Sequence, residues 1–408
     1  MLNTNSNSTN TRYGYRIFGK GVSVSNDTIL TGMNNNDLII GKSGSSKSGS
    51  IVHPFLKTVS DCSVIISDAK KLFHDQFKEE LEGRGYRVFK IDFTNPSEGY
   101  GYNPLSYIHK DKDGNYCESD IAGLASAIQP VLSKDEPIWE SSAQSLIQFL
   151  ISFCLEAFPE DQHNMIEVCK LYHRYINKDI CFTEWLVDNP DSFAAMKYAE
   201  FRANKDADKM YASILGFVNN ALKPFCVKEA SYIFKDNEMV DIESIGREKT
   251  VVFINFPDYT NAWDSVINLF YYQAFSVLMQ QGTNNPDHVL DVPTRFIMDD
   301  FASGAVIPDF NRTISNIRSR DIYATLIIQS KSQLESMYGK DDATTIFDNC
   351  DHILFLGGND LETASYVGTR ANKSPETVLC MERNKAYLIE AGKLAELIDK
   401  IPPYSFGK

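Results

Sequence analysis

The sequence lacks three features that each define a class of proteins. Its eight cysteines stand singly, without a CxxC pair or a histidine at zinc spacing, which excludes a disulfide framework and a zinc site. No stretch approaches the roughly 18 apolar residues of a membrane-spanning helix, and even the densest run, residues 149–155, contains Ser152. Acidic residues outnumber basic ones, and the formal net charge of −14 excludes a surface that coats nucleic acid. Any contact with nucleic acid must therefore be local.

What the sequence does contain is an alternation of short apolar runs with helix-like stretches. Residues 37–92 carry the pattern β-α-β-α-β, which is typical of a parallel sheet flanked by helices. Helical spacing then continues from Ile121 to about Phe234, with no convincing strand. The alternation resumes at Thr250, and the later predicted strands are residues 250–257, 294–301, 322–330, 351–358 and 385–392.

This pattern predicts one α/β domain that is interrupted by a second domain. The α/β domain is expected at residues 13–110 and 247–408, and an all-α insertion at residues 111–246 follows its third strand. Residues 1–12 are polar and are predicted to form a disordered tail.

The stretch IIGKSGSSKSGS, residues 39–50, has nearly the spacing of a phosphate-binding loop, G-x-x-x-x-G-K-[ST]. It lies between a predicted strand and a predicted helix, where free N–H groups and the helix dipole favour an anion. Lys47 would reach the β- and γ-phosphates of ATP, and the Ser48 hydroxyl would ligate Mg²⁺. The alternative is a flexible turn rich in glycine and serine, since Ser46 replaces the second glycine. The predicted nucleotide-binding residues are Gly41, Gly44, Ser45, Ser46, Lys47 and Ser48.

Two carboxylates end a predicted apolar strand, RFIMDDF, far downstream of this loop. Asp299 and Asp300 would lie at the C-terminal edge of the sheet, where open α/β sheets bind their ligands. A buried carboxylate is costly unless a cation compensates it, and Mg²⁺ supplies that compensation. We expect Asp299 to hold the metal through water and Asp300 to orient or deprotonate the attacking water. The alternative is an aspartate pair that caps a helix.

Three further polar residues are candidates for sensing or stabilising the transferred phosphate. Arg318 and Arg320 lie at a predicted helix end, and Gln329 closes the next predicted strand. A glutamine beside a γ-phosphate can sense it, and an arginine that faces a neighbouring subunit can stabilise transition-state charge in trans. Taken alone, however, an arginine on a helix is usually a solvated cation.

These motifs occur in an order that extends from Asn34 to Ala364. The most specific are YNPL at residues 102–105 and DDFASGAVIPDF at residues 299–310, and others are NNNDLIIGKSG, SVIISDAKKLF, GYRVFKIDFTNP, EPIWE, IRSRDIYATLIIQSKSQL and NCDHILFLGGNDLETA. Together they resemble the type IV secretion coupling proteins, the conjugative DNA-transfer ATPases of the TraG/TraD kind, particularly those of Gram-positive mobile elements.

The resemblance implies a RecA-like motor domain with an inserted all-α domain, assembled as a hexameric ring around DNA. It implies ATP and Mg²⁺ as cofactors, and relaxase-bound DNA and a type IV secretion channel or membrane-anchoring protein as partners. It places Lys47 and Ser48 at the phosphate loop, Asp299 at the Mg²⁺ aspartate, Asp300 at the catalytic glutamate, Gln329 at the sensor, and Arg318 (less surely Arg320) at the trans-acting arginine. Loops near Arg312 or after Ala302 are the candidates for gripping DNA.

Three features depart from the family pattern. If the loop needs a positive φ at Ser46, the side chain there costs roughly 1–2 kcal/mol. Asp300 replaces the usual glutamate, and the shorter side chain affects hydrolysis more than binding, because a displacement of about 1 Å can cost on the order of 100-fold in rate. The membrane anchor that most relatives carry is missing; a naturally soluble form is expected from the Met1 start and polar tail, and an anchor that was cut away is the alternative. The expected location is cytoplasmic, peripheral at the inner face of the cell membrane.

Two functions are therefore open at the level of sequence. The first is an ATP-driven coupling protein that recruits relaxase-bound DNA to the channel and drives or gates its transfer. The second is a nucleotide-binding receptor that docks the cargo and hydrolyses little or nothing, which Ser46 and Asp300 favour. A metabolic kinase is disfavoured, because the long insertion has no evident role with a small substrate.

Overall fold

A computed structural model of the chain describes residues 12–133, 135–177, 181–202, 208–301 and 306–407. Within these ranges nine strands form one sheet in the order β11-β10-β9-β3-β8-β7-β4-β6-β5, and two more form an antiparallel hairpin. The strands are β1 (Tyr15–Gly19), β2 (Val22–Ser25), β3 (Asp37–Ile40), β4 (Ser63–Ser67), β5 (Arg87–Asp92), β6 (Thr250–Asn255), β7 (Thr294–Met298), β8 (Ile322–Ile328), β9 (His352–Phe355), β10 (Lys385–Glu390) and β11 (Glu396–Asp399).

Helices cover both faces of the sheet and fill the long segment between β5 and β6. A π-helical turn, Ser48–Val52, precedes the second of them. The helices are α1 (Thr28–Thr31), α2 (His53–Thr58), α3 (His74–Gly83), α4 (Glu118–Ile128), α5 (Ile138–Ala157), α6 (Met165–Ile176), α7 (Cys181–Asp188), α8 (Phe193–Arg202), α9 (Asp208–Leu222), α10 (Ile242–Ile245), α11 (Asp264–Asn284), α12 (Phe310–Asn316), α13 (Lys331–Tyr338), α14 (Lys340–Asp348), α15 (Leu361–Ala371) and α16 (Pro375–Leu379).

The parallel part of the predicted sheet is confirmed, because β9, β3, β8, β7, β4, β6 and β5 pair in parallel. The strand predicted at residues 385–392 is present as β10, which is antiparallel to β9, and β11, which the sequence pattern missed, is antiparallel to β10. The reason is that α15 and α16 pack on each other and return the chain to the edge that β9 left. The hairpin β1–β2 was also missed, because each strand is only four or five residues long.

Helix α3 begins at His74, seven residues after the end of β4 at Ser67. The Asp68 carboxylate, which follows β4, accepts hydrogen bonds from the backbone N–H groups of Leu72, Phe73 and His74 at 2.9–3.1 Å. These bonds hold residues 69–73 in a turn at the end of the strand. The turn brings this segment to the same edge of the sheet as the phosphate loop.

The apolar core continues from the sheet into the helical segment. One layer packs α2 and α3 against the face of the sheet that carries Ile39. The other is a continuous cluster that includes both Leu38 of β3 and Phe149 of α5. The domain boundaries at residues 110 and 246 stay a prediction, since the core does not break there.

Two predictions concern the ends of the chain and membranes. The predicted tail falls outside the described residues except for Arg12, whose Nη2 lies 3.0 Å from Oδ2 of Asp321. No helix in the described ranges combines the length and the apolar character that crossing a membrane requires.

A buried ionic cluster joins the hairpin to the sheet. Asp37, the first residue of β3, lies 3.1 Å from Nε of Arg16 on β1 and 2.9 Å from Nη1 of Arg295 on β7. Thr325 on β8 donates its hydroxyl to the same carboxylate at 3.0 Å. Burial lowers the pKa of Arg16 to about 10, with Asp37 opposing the shift, so the guanidinium stays charged at neutral pH. Burial also lowers the pKa of His352 on β9, whose Nδ1 lies 3.2 Å from Nη2 of Arg16.

We expect Asp37→Asn to destabilise the protein by about 3–5 kcal/mol, because it leaves two buried arginines without their carboxylate. Urea unfolding at neutral pH measures the change. The control is Glu248→Gln, which removes an exposed ion pair with Arg87 (3.0 Å) and should cost less than about 1 kcal/mol. Equal stabilities of the two variants would contradict the role of the cluster.

Candidate nucleotide-binding site

Three adjacent parallel strands bring the predicted site residues to one edge of the sheet. Strand β8 lies between β3 and β7, with Ile40 level with Ile328 on one side and Met298 level with Leu326 on the other. The phosphate loop, the aspartate pair and Gln329 each follow one of these strands. The loops that leave these strands therefore meet at the carboxyl edge, where ligands bind in this class of sheet.

The loop places its lysine and serine at the start of a helix. Lys47 is buried, and its Nζ donates to the carbonyl oxygen of Gly41 at 2.7 Å. The hydroxyl of Ser48 donates to Oδ2 of Asp299 at 2.5 Å. The two distant motifs are thus in direct contact, across 251 residues of sequence.

The backbone of the loop uses the left-handed region twice. Gly44 has a φ of 77°, and Ser46 has a φ of 69°, which confirms that this position needs the conformation that glycine favours. A side chain there costs roughly 1–2 kcal/mol. Gly41 does not line the cavity described below, but it shapes the loop, because a Cβ atom on it would lie 2.3 Å from Oγ of Ser45.

The surroundings of the Asp299 carboxylate favour a bound cation. It is largely surrounded by protein, and burial raises its pKa, while the Ser48 hydrogen bond, and to a lesser degree the Lys47 charge, lower it. Asp300 lies beside it, and its backbone N–H donates to Oδ1 of Asp299 at 3.1 Å. Asp300 has a φ of 55°, so its backbone is also left-handed.

These residues line a cavity of about 240 Å³ that fits a phosphate chain. Its walls come from the loop residues Gly44–Ser48, from Asp299 and Asp300, and from Gln329. The described residues contain no cluster of three His, Cys, Asp or Glu side chains that could hold a metal unaided. Mg²⁺ is usually held by one or two carboxylates together with substrate phosphates, so Ser48 and Asp299 fit it as part of a nucleotide complex.

Gln329 and the two arginines lie at opposite edges of the sheet. Gln329 is exposed and lines the cavity. Arg318 and Arg320 form a 3₁₀ turn that precedes β8, whereas Gln329 follows it. Seven strand residues span roughly 20 Å, so neither arginine reaches the cavity of its own chain. Arg318 is exposed, and Arg320 donates to Thr283 and to the carbonyl of Asn316.

The structure adds two cavity residues that the sequence motifs did not predict. Lys70 follows β4, whose carboxyl end lies beside β7, and the edge rule applied to the sequence SVIISDAK would have found it. Tyr404 also lines the cavity, although nothing local in its sequence indicates this. The loop after Ala302, predicted to grip DNA, lies outside the described residues, and Arg312 is exposed on α12.

Comparison with solved structures defines the class of protein. The unbound bacterial conjugative coupling protein TrwB matches with a TM-score of 0.67 at 13% identity, over 89% of this chain and 84% of that one. TrwB in complex with ADP and Mg²⁺ matches with a TM-score of 0.66 at 14% identity, over 89% and 84%. VirB4 of Thermoanaerobacter pseudethanolicus matches with a TM-score of 0.53 at 15% identity, over 90% of both chains. The predicted fold, a RecA-like P-loop fold with an inserted all-α domain, is confirmed.

Sequence comparison then gives the family. Residues 7–374 match the family described as Type IV secretory system Conjugative DNA transfer. The conjugal transfer protein TraG of Rhizobium radiobacter is 21% identical over 353 residues, which are 82% of this chain and 51% of TraG. The chain belongs to this conjugative DNA-transfer family of type IV coupling proteins, and it spans about half the length of that curated relative. The Gram-positive origin stays a prediction.

We expect Asp299→Asn to stabilise the protein in the absence of nucleotide and Mg²⁺, by about 1 kcal/mol at neutral pH. The raised pKa means that the folded protein binds the Asp299 proton more tightly than the unfolded chain does. The charge of Asp299 therefore destabilises the folded wild-type protein. This destabilisation is absent below the ordinary aspartate pKa, grows as the pH rises from the ordinary to the raised value, and is complete above the raised value.

Thermal unfolding of both proteins across this pH range measures the difference. The control is Asp113→Asn on an exposed loop, which should show no such pH dependence. A constant difference between Asp299→Asn and wild type at all pH values would contradict the electrostatic explanation.

Proposed function

We propose that the protein binds ATP with Mg²⁺ and uses its hydrolysis to drive or gate the transfer of relaxase-bound DNA into a type IV secretion channel. The single observation that carries the nucleotide site is the 2.5 Å hydrogen bond from Ser48 to Asp299. It shows that the loop and the acidic strand face one cavity rather than separate crevices. Family membership supports the conjugative role.

Each residue of the site has a distinct task in this proposal. Lys47 leaves the Gly41 carbonyl and binds the β- and γ-phosphates. Ser48 and Asp299 would hold Mg²⁺, which would supply positive charge beside the phosphates. Asp300 orients or deprotonates the attacking water, and Gln329 senses the γ-phosphate.

Arg318 is proposed to act on the site of a neighbouring copy. It is exposed, and it lies at the edge of the sheet opposite to the cavity of its own chain. An arginine so placed contributes to catalysis only in an assembly, and a hexameric ring around DNA is the proposed one. The net charge of −14 agrees with DNA contacts confined to local loops.

The partners proposed are relaxase-bound DNA, single-stranded or duplex, and a channel or membrane-anchoring protein. The location proposed is the inner face of the cell membrane. The helical segment between β5 and β6 is the proposed cargo-facing domain, within boundaries at residues 111 and 246.

We expect Mg²⁺-dependent ATP turnover that DNA stimulates and that rises with protein concentration, since the site is completed by a neighbour. Lys47→Ala should lower the rate by about 100-fold, because it removes the cation that stabilises the transferred phosphate. Turnover is measured with and without single-stranded and duplex DNA, over a range of protein concentrations.

The matched control is Lys57→Ala on α2, which removes a surface ion pair with Glu80 (2.6 Å) and should leave the rate unchanged. Arg318→Ala should abolish the rise of the rate with protein concentration and leave the low rate of the unassembled chain unchanged. A Lys47→Ala protein as active as wild type would exclude this ATPase site.

The second candidate is a nucleotide-binding receptor with little or no hydrolysis. Ser46 and Asp300 favour this candidate, since neither is the residue that the family uses at its position. Both residues also have a left-handed backbone. A strained loop weakens binding moderately, whereas a withdrawn carboxylate weakens the chemical step.

The double substitution Ser46→Gly with Asp300→Glu separates the two candidates. A motor that is already competent should gain little, whereas a receptor should gain on the order of 100-fold in turnover as the carboxylate moves toward the attacking water. ATP turnover and ATP affinity are measured together, so that a gain in binding is distinguished from a gain in hydrolysis.

A further inference from the structure

The last residues of the chain pack directly on the phosphate loop. The backbone N–H of Tyr404 donates to the carbonyl oxygen of Gly49 at 3.1 Å. A Cβ atom on Gly49 would lie 2.9 Å from Cε2 of Tyr404 and 3.0 Å from Cβ of Pro403. We call residues 401–407 the C-terminal strap. A side chain at Gly49 would therefore require the strap to shift.

Hydrogen bonds and packing contacts hold the strap against the rest of the domain. Ile401 is buried, and the preceding Lys400 donates its backbone N–H to Asn384 at 2.8 Å and its Nζ to the carbonyl of Leu356 at 2.5 Å. The Tyr404 ring packs edge-on against His53 of α2, with ring centroids 5.6 Å apart. The anchors fix the strap between the ends of β9 and β10 and the helix that follows the phosphate loop.

A second cavity continues from the phosphate cavity along the strap. It has a volume of about 730 Å³, shares Gly44, Ser45 and Ser46 with the phosphate cavity, and is lined on the other side by Pro402 and Pro403. A nucleotide whose γ-phosphate lay beside Asp299 and Asp300 would have its α-phosphate nearer the helix start at Gly49. Its nucleoside would then extend toward the strap.

We propose that Tyr404 contacts the nucleoside of the bound nucleotide and that the C-terminal strap completes the site. The inference rests on the proposed nucleotide binding and assigns a specificity residue to it. The Tyr404 side chain lines the phosphate cavity, and the neighbouring Pro403 lines the second cavity. The Tyr404 φ of 54° is left-handed, a conformation that costs a residue other than glycine roughly 1–2 kcal/mol.

Calorimetric titrations with ATP and with inorganic tripolyphosphate, both with Mg²⁺, test this assignment. Tyr404→Ala should raise the Kd for ATP about tenfold, by the loss of a base–aromatic contact, and leave the Kd for tripolyphosphate unchanged. Tyr404→Gly should show the same loss for ATP while its thermal midpoint without ligand is equal to or above that of wild type. Tyr404→Phe should retain ATP affinity if the ring makes the contact.

The matched control is Tyr232→Ala, since Tyr232 on the helical segment is as exposed as Tyr404, at 38%. It should bind both ligands as wild type does. Equal losses for ATP and tripolyphosphate would show that Tyr404 only shapes the loop, and no loss for either would show that it makes no contact; both results overturn the inference. If the wild-type protein bound neither ligand, and so behaved as Lys47→Ala does, the proposed nucleotide binding itself would be refuted.

Discussion

The parallel alignment of β3, β8 and β7 is the constraint on which the site depends. It is fixed by the carboxylate of Asp37 at the start of β3, which is shared by Arg16 of the hairpin, by Arg295 near the start of β7 and by the Thr325 hydroxyl in the middle of β8. Buried ions of this kind are costly to separate, so the strands keep one register. With that register set, the residues that follow the strands at the other edge meet within hydrogen-bonding distance, as Ser48 and Asp299 do.

The site stores electrostatic and conformational strain in the absence of a ligand. Asp299 is a carboxylate in surroundings that oppose its charge, and both Ser46 and Asp300 have left-handed backbones. Functional sites often hold such residues at the expense of stability, because a bound ligand compensates the buried charge that the fold leaves uncompensated. Here a magnesium nucleotide would supply the missing positive charge beside Asp299, and Lys47 would exchange a carbonyl of its own loop for a phosphate.

The sequence predicted those parts of the fold and site that depend on local patterns. Apolar strands followed by Lys47 or by Asp299 sufficed to place both motifs at the same edge, because parallel strands impose that geometry. The antiparallel direction of β10 and the short strand β11 could not be predicted, since they depend on how α15 and α16 pack. Tyr404 could not be found either: it reaches the loop only through the anchoring of the chain between Asn384 and Leu356.

The order of the strands has a consequence for biosynthesis. Strand β3 carries the phosphate loop and is the first strand of the large sheet to leave the ribosome, yet both of its neighbours, β8 and β9, begin at Ile322 and His352. Pairings of such high sequence separation form late and slowly. The nascent loop therefore stays without its neighbouring strands through synthesis of the whole helical segment, until β8 and β9 have left the ribosome.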